Sequence, residues 1–171
     1  MKNYKNNNVF IGIGSNLKGH MNSSTKIMDI ALLYLSLRGL RAIKVSNIYK
    51  SRPLPSGLGP VFFNRIILVN SKKSANNILL ILKDIECIFG RKKNTINNSP
   101  RILDLDLIDC RGEIINNDEL IIPHPKLCVR DFVLRPLYEL DSNWIHPVYY
   151  KKIKSLLVKN NRYSINSAIK V

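Results

Sequence analysis

The sequence predicts an α+β fold: a mainly antiparallel sheet with two helices packed on one of its faces. Three observations carry that expectation. Apolar residues change period along the chain in the order strand, helix, strand, strand, helix, strand, which is the ferredoxin-like split βαβ arrangement. The length, 171 residues, is that of one domain that buries enough surface to fold without a metal or disulfide staple. A composition of 45% hydrophobic and 23% charged residues is globular, and excludes a fibrous or wholly disordered chain.

Residues 1–8 are polar and Asn-rich, a flexible tail, and 9–171 make a single domain. Val9–Gly14 (VFIGIG) reads as the first strand, ending at Ser15-Asn16. From Asn22 to Arg38, Ile27, Ile30, Ala31, Tyr34, Leu35 and Leu37 recur near helical spacing, with Gly39 as the stop. Residues 41–50 alternate like a strand. The stretch 51–60 holds three prolines and two glycines, so it is a loop. Phe62–Asn70 is the next strand. Ser74 caps a second helix that runs through Ile78, Leu82, Ile85 and Glu86 to Phe89 and stops at Gly90. A polar, basic loop occupies 91–100, and with 51–60 it forms a pair of candidate lids. Ile102–Cys110 alternates clearly and reads as a strand, with Gly112 turning it into a short hairpin with Glu113–Asn116. Pro123-His124-Pro125 fixes an extended corner. Residues 129–140 read as a short helix or turn interrupted by Pro136, and 141–171 carry only a weak apolar pattern at Ile153, Leu156 and Leu157.

The net charge of +15 raises a nucleic-acid reading, but Lys, Asn and Ile crowd the whole chain, including its ends. A generally basic surface accounts for that and still favours an anionic substrate. Three cysteines, Cys87, Cys110 and Cys128, without CxxC spacing, suit reduced thiols in the cytoplasm better than a zinc or disulfide framework. No apolar run approaches a membrane span, and the N-terminus has no secretion signal.

Asp104-Leu105-Asp106, inside ILDLDLI, is the sharpest local feature. On a strand, residues two apart share a face, about 7 Å apart along the chain. Leu103, Leu105 and Leu107 then point to the core and both carboxylates away from it. Such a pair is either a polar face of a half-buried strand or a site for hard cations. Mg²⁺ is the cation such oxygens select, with phosphate oxygens as its remaining ligands. Arg91, Lys92, Lys93, Arg101, Arg130 and Arg135 lie around the pair in sequence, and cations beside metal-binding acids suit a polyphosphate. Gly12-Ile13-Gly14 begins like a dinucleotide fingerprint, but Leu17 holds the third glycine position. No P-loop and no protein-kinase set is present. Phe62 and Asn64 share a strand face on which a ring and an amide suit a planar heterocycle, while Phe63 points to the core. Phe132 offers a second stacking face. His124, between two prolines, stands within reach of a phosphate oxygen, whereas His20 and His146 read as structural.

These residues resemble the 6-hydroxymethyl-7,8-dihydropterin pyrophosphokinase family. The matching stretches are IGIGSNL at 11–17, SNIYKSRPL at 46–54, FFN at 62–64, IECIFGRKK at 85–93, SPRILDLDLI at 99–108 and IIPHPKLCVRDFVLRPLYEL at 121–140. The resemblance implies a ferredoxin-like α+β fold and transfer of pyrophosphate from MgATP to the hydroxymethyl group of a dihydropterin, with release of AMP, in folate biosynthesis. It implies that Asp104 and Asp106 each ligate two Mg²⁺ ions, and that Arg91 and Arg101 join them as the catalytic set. Phe62 and Phe132 would sandwich the pterin, Asn64 would read its edge, and Ser51, Pro53 and Leu54 would contact it. Glu86, Arg91, Lys93, Leu107, Ile121, His124 and Arg130 match positions lining ATP. The partners implied are these two small molecules, with no nucleic acid and no membrane, for a free-standing monomer. The family often carries Arg-Trp-Gly before the Pro-Arg pair. Here Asn97-Asn98-Ser99 stands there, which removes a cation and an aromatic lid residue. Pro125 replaces a tyrosine found in some members.

Two other readings stay open at this point: a basic nucleic-acid-binding module on the same fold, and an inactive relative of the enzyme. The acid pair and the missing RNP1 pattern weigh against the first. Release of AMP that depends on the pterin alcohol separates all three.

Overall fold

The computed structural model describes residues 7–17, 23–52, 60–91, 101–161 and 168–171. Pro53, Leu54, Lys93 and Asn97–Ser99 lie outside them. The elements run β1 (Asn8–Ser15), α1 (Ser24–Leu37), β2 (Ala42–Val45), β3 (Tyr49–Ser51), β4 (Phe62–Asn70), α2 (Ala75–Ile88), β5 (Asp104–Cys110), β6 (Ile115–Asn116), β7 (Ile121–Ile122), α3 (Asp131–Leu140), α4 (Ile153–Asn161) and β8 (Ile169–Lys170). Ser23 and Ser74 cap the first two helices by accepting hydrogen bonds from the amides of Lys26 and Asn77.

The sheet is antiparallel, in the order β5-β1-β4-β3-β8, with β2 also paired to β4. β1 lies between β4 and β5: Gly14 stands opposite Asn64 on one side and Asp104 on the other. Alternation then sorts the side chains. Ile11, Ile13, Ile67, Val69, Leu105 and Leu107 point to one face, where they are buried against Ile27, Met28 and Leu35 of α1 and Ile78, Leu82 and Ile85 of α2. Both helices expected from the sequence therefore share a face. The other face divides along its length. At one end Phe10, Ile66, Leu68 and Ile108 are buried against α3, Trp144 and α4. At the other end the same strands carry Gly12, Gly14, Phe62, Asn64, Asp104 and Asp106, and none of the described helices packs over them.

A bulge marks the boundary. The register of β5 on β1 shifts between Phe10 and Ile11, so Ile108 is an extra residue and both it and Asp109 turn toward the α3–α4 side. Three expectations need correction. Residues 41–50 form two short strands, because Ser46 turns its hydroxyl to the Ile66 amide at 3.0 Å and interrupts the ladder. Glu113–Asn116 does not fold back on β5 through Gly112: β6 pairs with β7 across a turn at 117–120. Pro136 lies within a continuous helix. The buried stripe Val133, Leu134, Leu137 and Leu140 outweighs the one hydrogen bond that Pro136 cannot donate.

Asp109 is 4% exposed and its Oδ2 accepts the indole N–H of Trp144 at 3.0 Å. Burial pushes its carboxyl up, and the indole bond opposes the rise. Trp144→Phe is therefore expected to lower stability by about 1–3 kcal/mol, measured by urea unfolding followed by circular dichroism. The deficit belongs to the ionised carboxylate. It is fullest at high pH and shrinks as pH falls through the raised pKa of the folded carboxyl, above the ordinary carboxylate range.

Candidate active site

The uncovered end of the sheet is the floor of a cleft. Its flatness comes from β1. A Cβ on Gly14 would lie 3.1 Å from Asn64 Oδ1 and 3.6 Å from the Asp104 Cβ, and one on Gly12 would lie 3.3 Å from the Ile108 side chain. Glycine at both positions leaves a trough between β4 and β5. The signal was in the sequence: in VFIGIG the isoleucines fill one face and the glycines leave the other empty.

Along one wall stand Asp104 and Asp106. Asp104 accepts from Arg101 at 2.6 Å and Arg91 at 3.1 Å. Asp106 lies 3.8 Å from Arg130 and 3.9 Å from His124 Nε2. Guanidinium groups thus supply the positive charge that the spacing of the two acids demands. Burial and the like charge of Asp104 push the Asp106 carboxyl up to about 6, against the pull of Arg130, Arg101 and Arg91. Burial, then Arg130 and Lys126, bring His124 down to about 4, so it is neutral at pH 7. Its Nδ1 accepts from the Lys126 amide at 3.1 Å, which leaves the proton on Nε2, facing Asp106.

Each arginine is itself held. Glu86, buried at the end of α2, accepts from Arg91 and from the Leu105 amide, the latter at 2.9 Å. Burial pushes its carboxyl up to about 7, and the amide and the guanidinium check the rise. Asn16 accepts from the Arg101 amide at 2.8 Å and donates its own amide to the Arg101 carbonyl. The Arg130 guanidinium lies 5.4 Å from the centre of the Phe132 ring. The roles of Asn16, Gly12 and Gly14 escaped the motif reading, which treated that stretch only as an incomplete glycine fingerprint.

The opposite wall carries Phe62 and Phe132, with Asn64 and Ser51 between the floor and β3. Asn64 donates to the Ser51 hydroxyl at 3.1 Å. Phe63 packs into the core on the far face. The sequence-derived set is thus brought together at Ser51, Phe62, Asn64, Arg91, Arg101, Asp104, Asp106, His124, Arg130 and Phe132. Leu107 points into the core between the sheet and the helices, Glu86 lies beneath Arg91, and Ile121 is 44% exposed on β7.

Among the described residues no group of three or more His, Cys, Asp or Glu gathers to cage a metal. A pair of half-exposed carboxylates suits Mg²⁺, which takes one or two protein carboxylates and completes its shell with phosphate oxygens and water. Phosphate oxygens would find Arg91, Arg101 and Arg130 beside them.

Over residues 10–142 the chain matches the family described as "7,8-dihydro-6-hydroxymethylpterin-pyrophosphokinase (HPPK)". It is 36% identical to "Folic acid synthesis protein fol1" of Pneumocystis carinii, over 90% of this chain and 20% of that one. It is 34% identical to its counterpart in Dictyostelium discoideum, over 96% of this chain and 23% of that one. The chain thus spans about a fifth of the length of these two relatives. Against the "2-amino-4-hydroxy-6-hydroxymethyldihydropteridine pyrophosphokinase" of Aquifex aeolicus it is 30% identical, over 89% of this chain and 91% of that one. Among solved structures, Plasmodium falciparum HPPK-DHPS superposes with a TM-score of 0.71 at 13% identity, over 99% of this chain and 50% of that one, a likeness of fold.

The geometry of the acid pair sets a titration. Carbon-13 NMR of the carboxyls is expected to show Asp106 with an apparent pKa near 6. In Asp104→Asn it should fall part of the way to the ordinary range, because a like charge is gone while the burial stays. An unchanged value would mean that the two carboxyls do not feel each other.

Proposed function

Because the chain belongs to the 7,8-dihydro-6-hydroxymethylpterin-pyrophosphokinase family, we propose that it transfers pyrophosphate from MgATP to 6-hydroxymethyl-7,8-dihydropterin in folate biosynthesis. The observation that carries the reading is the arrangement of the cleft. Asp104 and Asp106 stand on one strand inside a ring of Arg91, Arg101 and Arg130, next to a slot with an aromatic ring on each side and an amide at its edge. A triphosphate and a flat heterocycle fit those two halves.

The chain's own residues divide the work. Asp104 and Asp106 would hold two Mg²⁺ ions together with the triphosphate. Bound there, the metal supplies charge neutralisation and Lewis acidity at the phosphoryl groups. Arg91 and Arg101 exchange Asp104 for phosphate oxygens, and Arg130 exchanges Asp106. Neutral His124 donates its Nε2 proton as a hydrogen bond to a phosphate oxygen. Phe62 and Phe132 stack on the pterin, and Asn64, steadied by Ser51, pairs with its edge. Pro53, Leu54, Lys93 and Ile121 complete the substrate shells, while Glu86 and Leu107 act from behind them, Glu86 holding Arg91 and Leu107 holding β5 on the core. The hydroxymethyl oxygen bonds to the β-phosphorus. The bond from that phosphorus to the α,β-bridging oxygen breaks, AMP leaves with the oxygen, and the hydroxyl proton passes to solvent. Catalysis on this account is positioning and charge neutralisation. It is performed by a single catalytic domain over 9–171, as a cytoplasmic monomer acting on small molecules and not on nucleic acid. None of the described helices is long and apolar enough to cross a membrane.

The test is release of AMP by the purified chain with MgATP, in the presence and absence of the pterin alcohol. AMP should appear only when both are supplied, and AMP release indifferent to the pterin would overturn the reading. Asp104→Ala and Asp106→Ala are each expected to lower kcat/KM by about a thousandfold or more, several kcal/mol of transition-state stabilisation. Both side chains stand at the cleft, so the melting temperature should change little. Near-normal turnover at saturating Mg²⁺ in either variant would contradict the metal-binding role.

A further inference from the structure

Arg130 and Phe132 flank a residue that faces away from the cleft. Asp131, the first residue of α3, is 3% exposed. Its Oδ2 accepts from Arg135 Nε at 3.2 Å, one turn along the same helix. Its Oδ1 accepts from Asn160 Nδ2 at 2.7 Å. Asn160 belongs to the last turn of α4, 29 residues further along the chain. Among the described residues neither Asp131 nor Asn160 lines the cleft. Both carboxylate oxygens are nonetheless engaged, and the residues on either side of Asp131, Arg130 and Phe132, both line the cleft.

We propose that Asp131 and Asn160 are positioning residues: their hydrogen bond anchors the start of α3 to the C-terminal helix and so sets where Arg130 and Phe132 stand at the cleft. The physical reason lies in the backbone. Arg130 is extended and its side chain makes no cap; backbone bonds of the 3-10 turn at Leu127–Val129 and of the first helical turn set the path of the chain there, and Asp131 adds a side-chain anchor to another element. A buried carboxylate at the first helical position favours the N-terminal turn and fixes it sideways when a partner on another element holds it. Arg130 then reaches Asp106 at 3.8 Å, and the ring of Phe132 takes its place beside the guanidinium. The link gives the C-terminal segment, which carried no assignment in the sequence, a part in substrate binding.

The inference rests on the proposed reaction, and the test separates the two. Asn160→Ala keeps the apolar face of α4 and removes only the donor. Wild type and variant are compared for pterin KM, for kcat, and for the guanidinium NMR resonance of Arg130, which reports its surroundings with no substrate added. Asn160→Ala should raise the pterin KM about three- to tenfold with kcat changed less than twofold, and should shift the Arg130 resonance. Asp131→Ala should reproduce both effects and the double variant should add nothing further, since residues in one network are not additive. Asp131→Asn retains an acceptor for Asn160 and should restore most of the affinity. If the wild type turns over, an unchanged pterin KM in Asn160→Ala overturns the proposal. A fall in activity confined to kcat, in step with the fraction of folded protein, also overturns it. If the wild type releases no AMP, the functional reading has failed, and an unmoved Arg130 resonance then overturns the positioning role as well.

Discussion

Two carboxylates on one face of one strand repel each other unless positive charge stands beside them, and most of the cleft is arranged around that constraint. At a separation near 7 Å and the effective screening of a protein surface the repulsion is about 2 kcal/mol, enough to distort or protonate the pair. Three arginines answer it, and each comes from a different part of the chain. Arg91 follows α2 and is held by Glu86, Arg101 precedes β5 and is held by Asn16, and Arg130 precedes α3. The same guanidinium charge helps keep His124 neutral. A metal–triphosphate complex brings cations for the acids and anions for the arginines together, so the site can exchange one set of ion pairs for another without leaving a charge alone.

The sheet separates stability from chemistry by alternation. On β1, β4 and β5 every second residue enters a continuous apolar core beneath α1 and α2. The intervening positions Phe10, Ile66, Leu68 and Ile108 are buried where α3 and α4 cover them. Beyond the β5 bulge they become glycine, asparagine and aspartate, with Phe62 at the cleft wall. The carboxylates can therefore be replaced at the cleft without opening the core behind them, while Leu105 and Leu107 keep β5 in place.

How far the residues alone disclosed this differs from element to element. The faces of β5 were readable because strand periodicity is two and LDLDL at 103–107 alternates without fault. Phe62 and Asn64 were placed by the same rule. Serine caps and glycine stops delimited α1 and α2. Ser46 breaking a strand and Ile115 pairing with Ile122 depend on partners far along the chain, which local pattern does not record. A proline pointed to an interruption of α3, but tertiary burial of four apolar side chains outweighed it. The glycine floor was visible as an empty face yet passed over, because glycine-rich strands are usually examined for a phosphate loop. Asn16 and Asp131 left no local signal, since their work is done by hydrogen bonds to residues 85 and 29 positions away.

Calorimetric titration of a non-transferable ATP analogue, with and without Mg²⁺, tests the central claim most directly. If the acid pair is built to receive a metal–triphosphate complex, the analogue should bind at least tenfold more tightly with Mg²⁺. Without the ion it must take arginines from carboxylates that are then left facing phosphate. Equal affinity in the presence of Mg²⁺ and in excess chelator would contradict the account, because the arginines alone would then hold the nucleotide and Asp104 and Asp106 would have no part in binding it.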